Sequence, residues 1–82
     1  MPGVDRCLTG SINGISQNGD YAFVNDAAAI NGYRGDPPQS VFVHIRQLEG
    51  DRFHEGMKID FNVRPGRNGK PEAYDVIKCS RH

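Results

Sequence analysis

An all-β fold, a small barrel of five short strands, is predicted by three features of this sequence. Stretches of strand character recur between clusters of Gly, Asn and Pro. Helical signals are nearly absent: the Ala-rich stretch Asp26–Ile30 is broken at once by Asn31-Gly32, and Pro37-Pro38 stops any helix beyond it. The 82 residues make one small domain, whose core typically supplies only about 3–5 kcal/mol. Closing the sheet on itself removes the edges that such a chain has no helix to cover.

Cys7–Ile15 reads as a first strand, weakened by Gly10 and Gly14. Gln17-Asn18-Gly19-Asp20 is a turn, and its Asn-Gly pair suits a tight connection. Tyr21–Asn25 and Ser40–Ile45 are the second and third strands. Between them, Asp26–Gln39 is a fourteen-residue connection, too long for an ordinary hairpin loop and of the kind that is functional or mobile. A second connection, Arg46–Gly56, holds one helical turn at Arg46–Leu48. Met57–Arg64 alternates, with Ile59, Phe61 and Val63 on one face and Lys58, Asp60 and Asn62 on the other. Pro65-Gly66-Arg67-Asn68-Gly69 forms a hairpin turn into the last strand, Glu72–Cys79. The expected domain covers residues 1–82, with its core at about 7–79.

Charge removes several function classes. Ten Lys+Arg balance ten Asp+Glu, and like charges form no run. A protein held to duplex nucleic acid by bulk electrostatics carries a basic excess or stripe instead. No apolar run is long enough to span a membrane, and Met1–Gly10 lacks a signal peptide's apolar stretch, so a cytoplasmic protein without membrane association is expected. Cys7 and Cys79 read as inert small hydrophobes, with a disulfide closing the whole chain as the alternative. Three His and two Cys lack CxxC or HxxxH spacing, so neither a metal nor a cofactor is expected.

The second and third strands carry the informative pattern. Side chains alternate across a strand, so Ala22 and Val24 share one face while Tyr21 and Phe23 share the other. Likewise Val41, Val43 and Ile45 oppose Phe42 and His44. Both faces of both strands are apolar or aromatic. A narrow barrel interior takes the small aliphatics better than four rings, which puts Tyr21, Phe23, Phe42 and His44 outside. Two readings stay open: an exposed platform for base stacking, worth about 1–3 kcal/mol per base, or a face covered by the long loop or a partner chain.

These residues resemble the cold-shock domain family. The likeness runs through Gly10–Val24, Val41–Leu48, Glu55–Val63 and Pro65–Val76. Val41-Phe42-Val43-His44-Ile45 matches the family's second ribonucleoprotein motif. Asp20-Tyr21-Ala22-Phe23-Val24 is similar to the first, which normally reads Lys-Gly-Phe-Gly-Phe-Ile. The resemblance implies a five-stranded antiparallel barrel of the oligonucleotide/oligosaccharide-binding type. It also implies non-catalytic binding of single-stranded RNA or DNA, with Tyr21, Phe23, Phe42 and His44 as the central stacking residues.

The chain departs from that pattern at defined places. Asn13-Gly14-Ile15 stands where the family has Lys-Trp-Phe, and Gly19-Asp20 where the first motif begins Lys-Gly. Ile45 replaces the aromatic that often follows the histidine, and Phe53 is the nearest counterpart of the family's later loop aromatic. Fewer rings and fewer cations imply weak binding of short, pyrimidine-rich strands with a shallow salt dependence. Arg34, Arg46, Arg52 and Arg67 are candidate phosphate contacts or plain surface charges, and Tyr33 is a candidate fifth ring or a residue packed on its own loop. The alternative function is a protein-interaction barrel that uses the same face for a partner or a dimer. An enzyme is not expected: His44 has rings for neighbours, Glu72 and Asp75 lack a partner, and Cys7 lacks an activating motif.

Overall fold

The computed structural model describes residues 6–79, so the ends of the expected domain, 1–5 and 80–82, lie outside the described residues. Its strands are β1 (Leu8–Asn13), β2 (Tyr21–Val24), β3 (Ala28–Ala29), β4 (Val41–His44), β5 (Lys58–Pro65) and β6 (Pro71–Lys78), with a 3-10 turn at Ile45–Leu48 after β4. Five of them close a ring in the order β1–β2–β4–β6–β5, and β5 returns to β1. The predicted barrel is present, with one refinement. Its pairs are antiparallel except the closing one, where β4 meets β6 in parallel through Phe42 and Glu72. Among the described residues, no helix is long and apolar enough to cross a membrane.

The core is built from alternate residues of each strand. Leu8, Ile12, Ala22, Val24, Val41, Val43, Ile59, Phe61 and Ala73 are buried. The most tightly placed residue of β1 is one whose missing side chain matters. A Cβ on Gly10 would lie 2.4 Å from Val24 Cγ1 and 3.1 Å from Asp26 Oδ1. Gly10 therefore does not weaken the strand but lets β2 cross it closely, as glycine does where another chain segment approaches.

The Asp26–Gln39 connection is partly structured. Asp26 Oδ1 accepts the Ser11 N–H at 2.8 Å, and Ala28–Ala29 pair with Thr9 and Leu8. The Ile30 N–H then donates to Cys7 O at 2.8 Å. Asn31 and Gly32, both at positive φ (45° and 80°), turn the chain so that the Tyr33 N–H reaches Ile30 O. That is the Asn-Gly turn chemistry of a hairpin, placed where sequence reading saw only a helix breaker.

A bulge on β6 sets the curvature. Asp60 pairs with Ile77 and Asn62 with Tyr74, so Phe61 faces two residues, Asp75 and Val76. Asp75 takes φ 52°, and its carbonyl accepts the Arg6 Nε–H at 2.7 Å. Such a bulge bends and twists the strand that carries it. Asn62 is the exception to the predicted alternation of β5. It is only 8% exposed, because the chain entering β1 lies over it and the Cys7 N–H donates to its Oδ1 at 2.9 Å.

Cys7 and Cys79 are both free. Cys7 bonds at Asn62 and the Cys79 N–H at Lys58 O, four residues apart on β5. That separation is about 13 Å along a strand, beyond the reach of a disulfide at about 7 Å between Cα atoms.

The last strand is tied to the second long connection by Lys78 Nζ, which donates to Asp51 Oδ2. That bond and the Arg52 N–H hold the Asp51 carboxyl below its ordinary value. The folded value is thus depressed relative to the unfolded one. The stabilisation is complete above the ordinary aspartate range and fades as pH falls through the lower folded value. Asp51→Asn should narrow the stability difference between neutral and acid solution, measured by urea midpoints on either side. Because both side chains are solvated, the change should be small. A variant whose acid limb matches the parent's would show that the pair contributes nothing.

Candidate functional site

Register explains why four rings gather on one outer face. β2 and β4 pair Tyr21 with His44, Ala22 with Val43, Phe23 with Phe42 and Val24 with Val41. Residues directly opposite share a face of the sheet. Ala22, Val24, Val41 and Val43 are 0% exposed inside the barrel, which leaves Tyr21, Phe23, Phe42 and His44 together outside. Phe42 is the hub. Its centroid lies 5.4 Å from Tyr21 at an interplanar angle of 28°, 5.9 Å from Phe23 at 75° and 6.4 Å from His44 at 53°. Tyr21 and Phe23 meet edge to face at 5.8 Å. These separations lie in the attractive range for ring pairs, so the rings hold one another in place. Tyr21 is 40% exposed and the other three are half-buried.

The ends of the ring cluster are fixed by backbone bonds. Ser16 Oγ accepts the Asp20 and Tyr21 N–H groups at 2.9 and 3.2 Å, and the Ser16 N–H donates to Tyr21 O. The Ile45 N–H donates to Asp20 O at 2.8 Å, which joins the start of β2 to the end of β4. His44 caps the 3-10 turn, its Nδ1 accepting the Arg46 N–H at 3.1 Å. In the neutral ring the proton is then on Nε2, which remains a donor.

An open groove of about 1070 Å³ runs beside Phe23, Phe42 and His44. Pro38, Gln39 and Ser40, the end of the long connection, border it. The start of that connection is held along the opposite half of β1, and Tyr21 stays exposed. The β5–β6 hairpin turn forms another border and brings Arg67 and Lys70 to the groove. Gly69 at φ 78° shapes that turn, and its N–H donates to Gly66 O at 3.0 Å. Glu72 lines the groove as well, because the parallel bridge places it beside Phe42.

The remaining candidates do not converge on the rings. Arg34, Arg46 and Arg52 are exposed, but none of them lines the groove. Tyr33 is half-buried and packs against the core from its loop. Phe53, a candidate loop contact from sequence, is corrected outright: it is 7% exposed and belongs to the core. Leu48 and Phe53, both from the second connection, join Ala22, Val41 and Val43 in the buried cluster. Gly14, standing where the family has tryptophan, has φ 60°, and a Cβ there would sit 3.7 Å from Phe23 Cδ2. The position still flanks the rings, but nothing extends them there.

Lys70, Glu72 and Pro38–Ser40 were not anticipated by sequence reading. The hairpin turn itself was legible, yet only barrel closure between β4 and β6 puts its far side against Phe42.

No family model matches the chain. Among curated proteins, cold shock protein CspD of Bacillus subtilis (strain 168) is 31% identical over 65 residues, which is 76% of this chain and 97% of that relative. The chain lacks the family's Lys-Trp-Phe and departs from its first motif, while the barrel and its outer rings are present. With this likeness over nearly the whole of the relative, the chain belongs to the cold-shock protein family, as a divergent member.

Proposed function

We propose that this chain binds single-stranded RNA or DNA without catalysis, by stacking bases on Tyr21, Phe23, Phe42 and His44. The observation that carries the proposal is the cluster of four rings on the outer face of β2 and β4, bordered by an open groove. Flat rings accept any base, at about 1–3 kcal/mol per stack. Membership of the cold-shock family supports the same reading.

Binding should be weak and only mildly sensitive to salt. Arg67 and Lys70 are the cations at the groove, and two phosphate contacts on a single strand give a log–log salt slope of about −1.4. Titration of the labelled protein with oligo-dT and oligo-U at low salt tests the proposal. Saturable NMR shifts at Phe23, Phe42 and His44 are expected. Silence of those resonances at high micromolar strand concentration would sink it.

A second reading, a face that docks a protein, draws on the acids at the platform: Asp20 precedes Tyr21, and Glu72 lies beside Phe42. Sedimentation separates the two. A stable, salt-resistant dimer that buries the rings and excludes oligonucleotide would favour docking.

A further inference from the structure

We propose that Glu72 makes this surface select guanine at the base stacked on Phe42. The inference rests on the stacking reading above and adds a specificity to it. Glu72 is the register partner of Phe42 across the β4–β6 bridge and lines the same groove. Neighbouring strands are about 4.8 Å apart, so a base lying on Phe42 extends its edge over the adjoining strand. On the β2 side that edge meets Phe23, directly opposite Phe42. On the β6 side it meets a carboxylate.

The carboxylate is available for this role. Across β5 and β6, Glu72 faces Arg64, but the Arg64 guanidinium lies over the Tyr74 ring, 5.0 Å from its centroid. Among the described residues, the Glu72 carboxylate makes no hydrogen bond and no ion pair. Its Oε1 lies against the bare Cα of Gly66, where a Cβ would approach it to 3.3 Å. Arg67 and Lys70 enter the same groove from the hairpin turn and are the partners for phosphate, which a carboxylate repels.

An ionised carboxylate only accepts hydrogen bonds. It therefore selects for adjacent N–H donors on a base edge. Guanine offers N1–H and the N2 amine side by side, a bidentate match. Cytosine and adenine each place a ring nitrogen acceptor next to their amine, and uracil or thymine flanks its one N–H with two carbonyl oxygens. Single-stranded recognition reads these Watson–Crick edges, and charge-assisted bidentate pairs are the strong ones. The pyrimidine preference expected from sequence is thereby reversed at this station.

The test uses the full chain and three labelled strands: a short oligo-U, the same strand with one central guanosine, and the same with inosine, which lacks the N2 amine. In anisotropy titrations, guanosine should tighten binding at least about fivefold, the lower end of a bidentate base contact. Inosine should lose most of that gain. Glu72→Gln should erase the guanosine preference and strengthen oligo-U binding, because the amide can both donate to and accept from uracil. Oligo-U and guanosine strands bound equally by the parent protein, or a preference that survives in E72Q, would overturn the inference while leaving the stacking reading intact. Absence of binding to all three strands would overturn both.

Discussion

Replacing Phe23 and Phe42 together by alanine should abolish oligonucleotide binding and leave the barrel folded. The two rings face each other across β2 and β4, and Phe42 is the one that contacts each of the other three rings. Two stacking surfaces at about 1–3 kcal/mol each make the loss about 2–6 kcal/mol, more than weak binding can sustain. Of the single changes, Phe42→Ala should cost more than Phe23→Ala, because it also removes the support on which Tyr21 and His44 rest. Neither ring belongs to the buried core, so far-ultraviolet circular dichroism should keep its barrel signature. Anisotropy with oligo-U measures the outcome. Parent-like affinity in the double variant would mean that strands bind elsewhere on the molecule.

Gly10→Ala should cost about 1–3 kcal/mol through overpacking. Its Cβ would enter the contact shell of Val24 at 2.4 Å, and Val24 is wholly buried in the core. The Asp26 carboxylate, which bonds the Ser11 N–H, would be pushed at the same time. In a domain of this size, each kcal/mol lowers the melting temperature by roughly 4–8 °C. A double-mutant cycle with Val24→Ala isolates the cause, since shortening Val24 removes the clashing methyl. The two changes together should destabilise less than their sum. Strict additivity would show that the clash is relieved in some other way.

The parts of this molecule that sequence reading reached depend on local chemistry. Alternation placed Ala22, Val24, Val41 and Val43 inside and Tyr21, Phe23, Phe42 and His44 outside, because strand geometry turns successive side chains to opposite faces whatever the rest of the chain does. The turn at Gln17–Asp20 and the hairpin after Pro65 were legible for the same reason, and so was the helical turn near Arg46. In sequence Phe53 reads as a loop contact, and Tyr33 stays open between a fifth ring and a packed residue, because a loop aromatic has no periodicity to show whether it points inward. Gly10 looked like a weak point in a strand, since nothing near it in sequence reveals that Val24 crosses above it. The pairing of Ala28–Ala29 with β1 was hidden in two small residues with no strand propensity.

The zero net charge of the chain is likewise a fact of composition whose meaning depends on placement. Sequence alone determined the all-β class, the sidedness of β2 and β4 and the four rings, because each follows from side-chain type and a period of two. Only the tertiary structure decided what surrounds those rings. The parallel closure of β4 on β6 brings Glu72 to Phe42 and carries Arg67 and Lys70 to the groove. It joins residues about thirty positions apart in the chain, and no local pattern encodes a contact made by closing a ring of strands.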